Sequence, residues 1–217
     1  IKSPDFDLCM KRAFNKLRPF FKIGIPDMGV APFDPHFAPE VKQKRGSNTL
    51  GYNLTLRNVY ERGWTKSFVT KFKTDWENQR IIYSQYFPEK WLEGDYEFRG
   101  DVLGLGMDRT GHWNLTLRDY SQTTRIKKNG HGLDVRVEID HIGDMDIHIG
   151  NLLRGRGVLG TVFFLKLEGM LDQIINAAWM PGFVVVRPLI NDLVSTAFTD
   201  IWSKSFRDFP YLEFLPD

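Results

Sequence analysis

The sequence has a single cysteine, almost no net charge and no long apolar run, and each absence excludes a class of protein. Cys9 alone cannot form a disulfide within the chain or a cysteine-rich metal site. With 29 Lys and Arg against 27 Asp and Glu, the chain lacks the basic face that tracks phosphates, so we expect no nucleic-acid partner. The longest apolar run, around Val162–Leu165, is far too short to cross a bilayer, and we expect no stable membrane insertion.

The chain contains many aromatic residues that can form a hydrophobic core, and the spacing of its apolar residues changes along the sequence. Its 217 residues include 17 Phe, 7 Tyr and 6 Trp, enough to exclude disorder. Residues 5–22 have helical spacing, with apolar side chains separated by polar ones such as Lys11 and Asn15. A connector with four prolines in sixteen residues follows, from Gly24 to Pro39. A second helix of about twenty residues is expected from Pro188 to just before Pro210.

Between about Val41 and Ile149 the period changes to two. Alternation is clear over Leu50–Leu56, Phe68–Phe72, Trp113–Leu117 and Val135–Ile139. It predicts antiparallel strands with one apolar and one wet face. Asn129-Gly130 is typical of a hairpin turn, and the runs are punctuated by further glycines: Gly63, Gly94, Gly100, Gly111 and Gly143.

No catalytic constellation is found in the sequence. No nucleophile elbow is present, and the glycines at 100, 104 and 106 are not followed by the Lys-Ser/Thr of a phosphate loop. The densest polar set, Asp144, Asp146 and His148, shares one strand face. It is either a solvated face or, if a partner strand adds carboxylates, a hard-metal site. We predict a protein that is not an enzyme and has no metal or cofactor.

A sheet with one apolar face and a long amphipathic helix can bury both faces if the sheet curls around the helix. Gly100, Gly104 and Gly106 could supply the kinks that such curling needs. Two alternatives follow: the side chains fill the interior, or they leave a dry cavity that favours an oily guest. For the second, the predicted ligand-binding residues are Tyr52, Leu54, Leu56, Phe72, Tyr96, Trp113, Leu115, Leu117, Val135, Val137, Ile174, Trp179, Val194 and Phe198. Tyr52, Tyr96, Trp113 and Trp179 could orient the guest through their polar atoms, or could be core aromatics satisfied locally.

An ordered set of motifs resembles the insect juvenile hormone-binding protein and takeout family. The motifs are Leu17-Arg-Pro19, Gly24-Ile-Pro26-Asp-Met-Gly29, Pro32-Phe-Asp34-Pro35, Asn176-Ala-Ala-Trp179 and Phe209-Pro210-Tyr211. The resemblance runs over the whole chain and implies an α+β fold in one tubular lipid-binding domain over 1–217. In that fold a long C-terminal helix is wrapped by a strongly curved antiparallel sheet, with a short N-terminal helix and an elongated apolar cavity.

The resemblance also implies a function: a secreted carrier of a small hydrophobic ligand, a juvenile hormone-like terpenoid or a fatty-acyl lipid, in insect haemolymph or a similar fluid. The absence of a later cysteine pair favours the takeout-like branch. The family pairs two cysteines near the N-terminus, so a partner for Cys9 is expected upstream of Ile1. The sequons at Asn53 and Asn114 are candidate glycosylation sites.

We expect a monomer, with a cell-surface receptor as a further candidate partner. Two rival functions remain open. The first is a membrane-interacting or host-defence lipid-binding protein, and the second is an interaction module with a filled core.

Overall fold

The chain folds as a curled antiparallel sheet with helices packed against two of its edges. The described elements of the computed structural model are α1 (Phe6–Leu17), β1 (His36–Arg45), β2 (Leu50–Arg62), β3 (Phe68–Asp75), β4 (Arg80–Val102), β5 (Leu105–Asn129), β6 (Gly132–Ile149) and a helix α2 over residues 190–199. The structure describes residues 5–28, 32–46, 50–102, 105–129, 132–151, 173, 176–177, 187–188 and 190–199.

The N-terminal helix predicted over residues 5–22 is confirmed. It forms as α1 followed by a 3-10 turn over Arg18–Phe21. Its apolar side packs against the sheet, where the ring of Phe14 lies 5.6 Å from that of Phe72 and 5.9 Å from that of Tyr83. These contacts fix α1 over the start of β4, at one end of the interior.

Part of the polar side of α1 also contacts the protein, because it caps the edge of β3. The Asn15 amide donates to the Val69 carbonyl oxygen at 3.0 Å and accepts from the Val69 N–H at 2.8 Å. Two turns earlier, Asp7 accepts from the Thr74 N–H at 3.0 Å. A strand edge with unpaired backbone groups can pair with a strand of another chain. The hydrogen bonds from Asn15 and Asp7 satisfy backbone groups on the edge of β3.

The strands pair in the order β1-β2-β4-β5-β6, and β3 pairs with β4 beside β2. β2 and β3 therefore lie end to end along β4, separated by the 3-10 turn Trp64–Lys66. No pairing joins β1 to β6 in the described part of the sheet, so the sheet is curled and not closed.

The strands are longer than the alternating runs from which they were predicted, with 23 residues in β4 and 25 in β5. The glycines expected between runs, Gly94, Gly100, Gly111 and Gly143, lie inside strands instead. Gly111 shows why: a Cβ there would lie 2.2 Å from the Gly150 carbonyl oxygen and 2.9 Å from the Tyr96 ring. Such close approach explains a glycine within a strand.

A line of irregularities across the sheet changes which residues face the interior. Phe87 and Lys90 on β4 are both buried, with two residues between them instead of one, and so are Tyr120 and Leu117 on β5. Asp119, between the last two, has a left-handed φ of 50°. An interval of three residues, in place of the usual two, shifts the alternation, so that odd positions face inward at one end of β4 and even positions at the other.

Of the glycines expected to supply kinks, Gly104 lies outside the described residues, and Gly100 and Gly106 pair in a regular register between β4 and β5. Register shifts with an extra residue occur within β2, β3 and β6, and bulges bend and twist a strand. In β3 the shift breaks the predicted alternation: Val69 and Phe72 are buried, and Phe68 is 39% exposed.

Two predicted features, the start of the first strand and the hairpin turn, can be compared with the structure. β1 begins at His36, before the expected Val41, and includes Pro39. This proline is tolerated because β1 is an edge strand, where a missing N–H breaks no ladder. β5 pairs antiparallel with β6, which confirms consecutive hairpin strands here, but Asn129 lies opposite Gly132 and is therefore a paired strand residue, not a central residue of the turn as predicted.

The helix α2 caps the edge of β6 in the way that α1 caps β3. The N–H groups of Val135, Val137 and Ile139 donate to Thr199 Oγ1, Ser195 Oγ and Asn191 Oδ1 at 3.2, 2.8 and 3.1 Å. Four residues of helix rise about 6 Å and two residues of strand about 6.7 Å, so one polar side chain per turn matches alternate residues of the strand. This correspondence docks α2 against the open edge.

Candidate functional site

The candidate site is the inner face of the sheet, which most of the predicted ligand-binding residues share. Buried positions on each strand identify this face, because side chains two residues apart point to the same side. The described ligand-binding predictions all lie on it or on the helix that it faces: Tyr52, Leu54, Leu56, Phe72, Tyr96, Trp113, Leu115, Leu117, Val135, Val137, Val194 and Phe198. The remaining two, Ile174 and Trp179, lie outside the described residues.

The inner face has a packed end, where side chains are fully buried, and another end, where apolar side chains are only half-buried. At the packed end, Phe72, Leu117 and Phe198 belong to one buried cluster with the start of β6 and the beginning of β4. At the other end, apolar side chains on the same face are only half-buried: Leu54, Leu56, Leu92, Phe98, Trp113, Leu115, Met145, Ile147 and Ile149. An apolar surface of this kind can accept an apolar guest without first displacing a packed side chain.

The seam between the two open edges of the sheet forms a separate groove. It has a volume of about 830 Å³ and is lined by β6, by α2 and by Arg45 of β1. Asp192 on α2 spans it, bonded to the Arg45 guanidinium at 2.9 Å and to the Gln43 amide nitrogen at 3.0 Å. Nine of the twelve residues that line it have polar or charged side chains, which distinguishes this groove from the inner face.

A buried polar cluster lies where the packed end begins. Lys90 Nζ lies 2.5 Å from Glu61 Oε1, and these side chains are only 4% and 9% exposed. The ammonium also donates to Gln122 Oε1 at 3.3 Å, and the Tyr120 hydroxyl donates to the same oxygen at 2.9 Å. Aromatic rings surround the ammonium, with the Phe87 centroid at 4.5 Å, close enough for a cation–π contact.

Burial shifts the pKa of several side chains around this cluster. Desolvation raises the pKa of Tyr120, and the nearby charges of Glu61 and Asp140 raise it further. Desolvation likewise raises the pKa of Tyr83 to about 12. The pKa of His36 is lowered by burial first, raised by Glu61 and lowered by Lys90. The two tyrosines therefore stay neutral at physiological pH, and act as hydrogen-bonding groups only.

The sequence analysis did not identify this cluster, because Lys and Glu are ordinarily exposed and nothing in the local pattern singles out Lys90 or Glu61. The shift of alternation near Pro88 brings Lys90 inward, and a matching irregularity at Asn58, with a φ of 52°, brings Glu61 inward. Pro88 was the available signal, since a proline within a predicted strand marks an irregular position.

The four aromatic residues proposed to orient a ligand have different surroundings. The Tyr52 hydroxyl donates to Gln43 Oε1 at 2.9 Å, and the Tyr96 hydroxyl donates to the Gly150 carbonyl oxygen at 2.8 Å. The indole N–H of Trp113 is buried and has no hydrogen-bond partner among the described residues. Trp113 is therefore the one of these described residues whose donor remains available.

The other predicted positions lie on the outside of the molecule. Cys9 is exposed on α1, and Asn53 is exposed on the outer face of β2 while Asn114 on β5 is half-buried. The pairing of Cys9 and the glycosylation of both sequons stay predictions. Among the described residues, no group of His, Cys, Asp or Glu is arranged to hold a metal ion. Asp144 instead pairs with Arg118 at 2.8 Å, on the outer face.

The fold and the inner face define a class of protein, an open curled antiparallel sheet with an apolar inner face and helices packed against its edges. The family model described as "Haemolymph juvenile hormone binding protein (JHBP)" matches residues 1–216, and the chain belongs to this family. None of the helical segments in the described ranges is long and apolar enough to cross a membrane.

Comparison with solved structures agrees with the fold. The chain is similar to the crystal structure of Epiphyas postvittana Takeout 1, with a TM-score of 0.61 and 19% identity over 96% of this chain and 95% of that chain. At this identity the likeness shows the fold. A lipopolysaccharide binding protein aligns with a TM-score of 0.26 and 12% identity over 89% of this chain and 39% of its own, which carries no argument. No curated protein sequence matches the chain significantly.

Proposed function

We propose that this protein is a secreted, non-enzymatic carrier that holds a small hydrophobic ligand against the inner face of its sheet. The observation that carries the proposal is the group of half-buried apolar side chains on that face, including Leu54, Leu92 and Leu115. In a completely filled interior these side chains would be close-packed and fully buried. A cavity lined by such groups stays dry and favours an apolar guest.

The family supports the ligand class and the location. The description of the family model names haemolymph and juvenile hormone binding. The proposed cargo is therefore a juvenile hormone-like terpenoid or a fatty-acyl lipid, and the proposed location is an extracellular fluid. The exposed Asn53 on the outer face is compatible with an attached sugar. We propose that the carrier acts as a monomeric single domain.

Desolvation supplies the affinity in this proposal. Burying about 400 Å² of apolar ligand surface gains about 10 kcal/mol. Loss of translational and rotational freedom costs about 4 kcal/mol or more. The remainder corresponds to a Kd of tens of micromolar, and each further 1.4 kcal/mol or so from a polar contact tightens it about tenfold.

Uptake of the apolar fluorophore Nile red tests the proposal with a matched pair of variants. Leu54→Glu places a carboxylate on the inner face, where desolvating the charge costs several kcal/mol, and should weaken uptake at least about tenfold. Asn53→Glu is the control, because its side chain lies on the outer face between Lys44 and Arg99 of the neighbouring strands. Equal uptake by both variants, with native circular dichroism, would refute the proposal.

A second candidate function, binding to a membrane surface, is favoured by one observation. Apolar side chains near the end of α1 are exposed, with Leu17 at 39%, Phe20 at 44% and Ile23 at 65%. Basic residues Lys16 and Lys22 lie beside them, a combination typical of interfacial helices. Co-sedimentation with anionic liposomes distinguishes the two: a soluble carrier stays in the supernatant, and a membrane-binding or host-defence protein pellets.

A further inference from the structure

We propose that a sugar chain attached to Asn114 lies across the outer face of the sheet and covers a platform formed by Phe37, Tyr60 and Glu93. The platform is on the face opposite the apolar inner face, so the inference does not depend on what the interior holds. It rests on the extracellular location in the proposed function, because a sequon marks a glycosylation site in a secreted protein.

The strand register places Asn114 and the platform in one row across four strands. Phe37 on β1 lies opposite Tyr60 on β2, and Tyr60 lies opposite Glu93 on β4. Glu93 in turn lies opposite Asn114 on β5. Residues directly opposite each other project from the same face of a sheet. Neighbouring strands are about 4.8 Å apart, so the row extends about 14 Å from Asn114 to Phe37.

Phe37 and Tyr60 form an exposed aromatic pair on this outer face. Phe37 is 46% exposed and Tyr60 37%, and their ring centroids are 4.9 Å apart. Large aromatic side chains are ordinarily more buried, and a group of them at the surface marks a contact site. One face of a sugar ring presents mainly C–H bonds, whose hydrogens are attracted to the negative face of an aromatic ring. The pair is therefore suited to the apolar face of a sugar.

Charged side chains beside the pair can bond to the hydroxyl groups of a sugar. Glu93 is half-buried, and its carboxylate accepts hydrogen bonds. Arg62 lies two residues from Tyr60 on the same face, and its guanidinium, 4.8 Å from the centroid of the Trp91 ring, donates them. Aromatic faces with an acceptor on one side and a donor on the other match a sugar, which has an apolar face and a rim of hydroxyls.

Covalent attachment makes weak contacts sufficient for this docking. In the transfer, the amide nitrogen of Asn114 forms a bond to the anomeric carbon of an oligosaccharide, the bond from that carbon to a lipid diphosphate breaks, and the amide gives up one proton. The sugar is then held beside the platform at an effective concentration of about millimolar or higher. Each sugar ring is comparable in length to one strand spacing, so a chain of about three sugars spans the row.

The second sequon provides a matched control on the same face. Asn53 also begins an Asn-Leu-Thr-Leu-Arg segment, but its neighbours on the adjacent strands are Lys44 and Arg99. Arg99 lies opposite Asp108 on β5, so the described row through Asn53 contains charged residues and no aromatic ring. A sugar on Asn53 should therefore project into solvent.

Single-sequon variants secreted from cells that attach oligomannose sugar test the inference. Asn53→Gln keeps the sugar on Asn114, Asn114→Gln keeps it on Asn53, and an endoglycosidase trims either sugar to one residue without creating a charge. Trimming should lower the melting temperature of Asn53→Gln by about 3 °C, the shift expected for losing one aromatic contact in a chain of this size. For Asn114→Gln the shift should stay below about 1 °C. Before trimming, nuclear Overhauser effects should connect sugar C–H protons to the ring of Phe37 or Tyr60.

Adding Phe37→Thr and Tyr60→Thr to Asn53→Gln separates the platform from other effects of the sugar. Threonine keeps the strand preference and removes the rings, so trimming should then shift the melting temperature by less than about 1 °C. Equal shifts at the two sites, equal shifts with and without the rings, or secreted protein without sugar on Asn114 would each overturn the inference. Nile red uptake by the same protein reports on the carrier function alone, because the platform lies on the outer face, so the two failures are distinguishable.

Discussion

Replacing Ser195 by alanine tests the docking of α2 on the sheet edge. Ser195 Oγ accepts from the Val137 N–H at 2.8 Å, and Val137 is 1% exposed. The substitution leaves that N–H buried without an acceptor, which costs about 1–3 kcal/mol. Alanine is the better helix former by about 0.5 kcal/mol. We therefore expect the free energy of unfolding to fall by about 1–2 kcal/mol.

Thr196→Ala is the control for this prediction. Thr196 is the next residue, is exposed, and bonds only to the Asp192 carbonyl oxygen of its own helix among the contacts described. Its replacement should change the free energy of unfolding by no more than about 0.5 kcal/mol. Urea denaturation followed by circular dichroism measures both values. If Ser195→Ala is as stable as Thr196→Ala, the hydroxyl does not cap β6 and the reasoning is wrong.

Three further predictions concern the interior. Lys90→Met should destabilise the protein by about 3–5 kcal/mol, because Glu61 is left buried and unpaired. Adding Glu61→Leu to this variant should restore most of the lost stability. If urea denaturation shows that the two substitutions have additive effects on the free energy of unfolding, Lys90 and Glu61 do not form a buried pair. Gly111→Ala should lower the melting temperature, because its Cβ would lie 2.2 Å from the Gly150 carbonyl oxygen, and an unchanged melting temperature would contradict that close approach. Burial lowers the pKa of His36 below its ordinary 6.5, so the folded state binds fewer protons than the unfolded state. The contribution of His36 to stability is therefore fully present above pH 6.5. It is lost as the pH falls from 6.5 through the folded-state pKa. The pH dependence of unfolding should be weaker in His36→Gln, and identical profiles would count against the burial of this imidazole.

The sequence predicts the strands well because their alternation is local. Leu54 and Leu56 share the inner face with Tyr52 simply because they are two residues apart, and no distant information is needed. The resemblance of the ordered motifs then indicates how the sheet and helices are arranged. Both parts of the prediction are confirmed, by the strand pairing and by the family model.

The polar interior could not be predicted, because it depends on where the alternation shifts. Lys90 reads as a wet-face residue until the step after Phe87 is known, and that step is matched by one at Asp119 on the neighbouring strand. The edge caps are hidden for a related reason. Asn15 and Asn191 look like solvated helix residues, although each bonds to the backbone of a strand distant in sequence. Which strand residue lies opposite each of these asparagines depends on the register of the whole sheet, which the local sequence does not determine.

The central claim is that the inner face leaves room for an apolar guest. Native mass spectrometry of protein purified without denaturants or organic solvent tests it most directly. The account predicts a fraction of the protein with added mass, and release of a lipid of that mass on unfolding and organic extraction. Protein at its bare polypeptide mass that also fails to take up Nile red would contradict it.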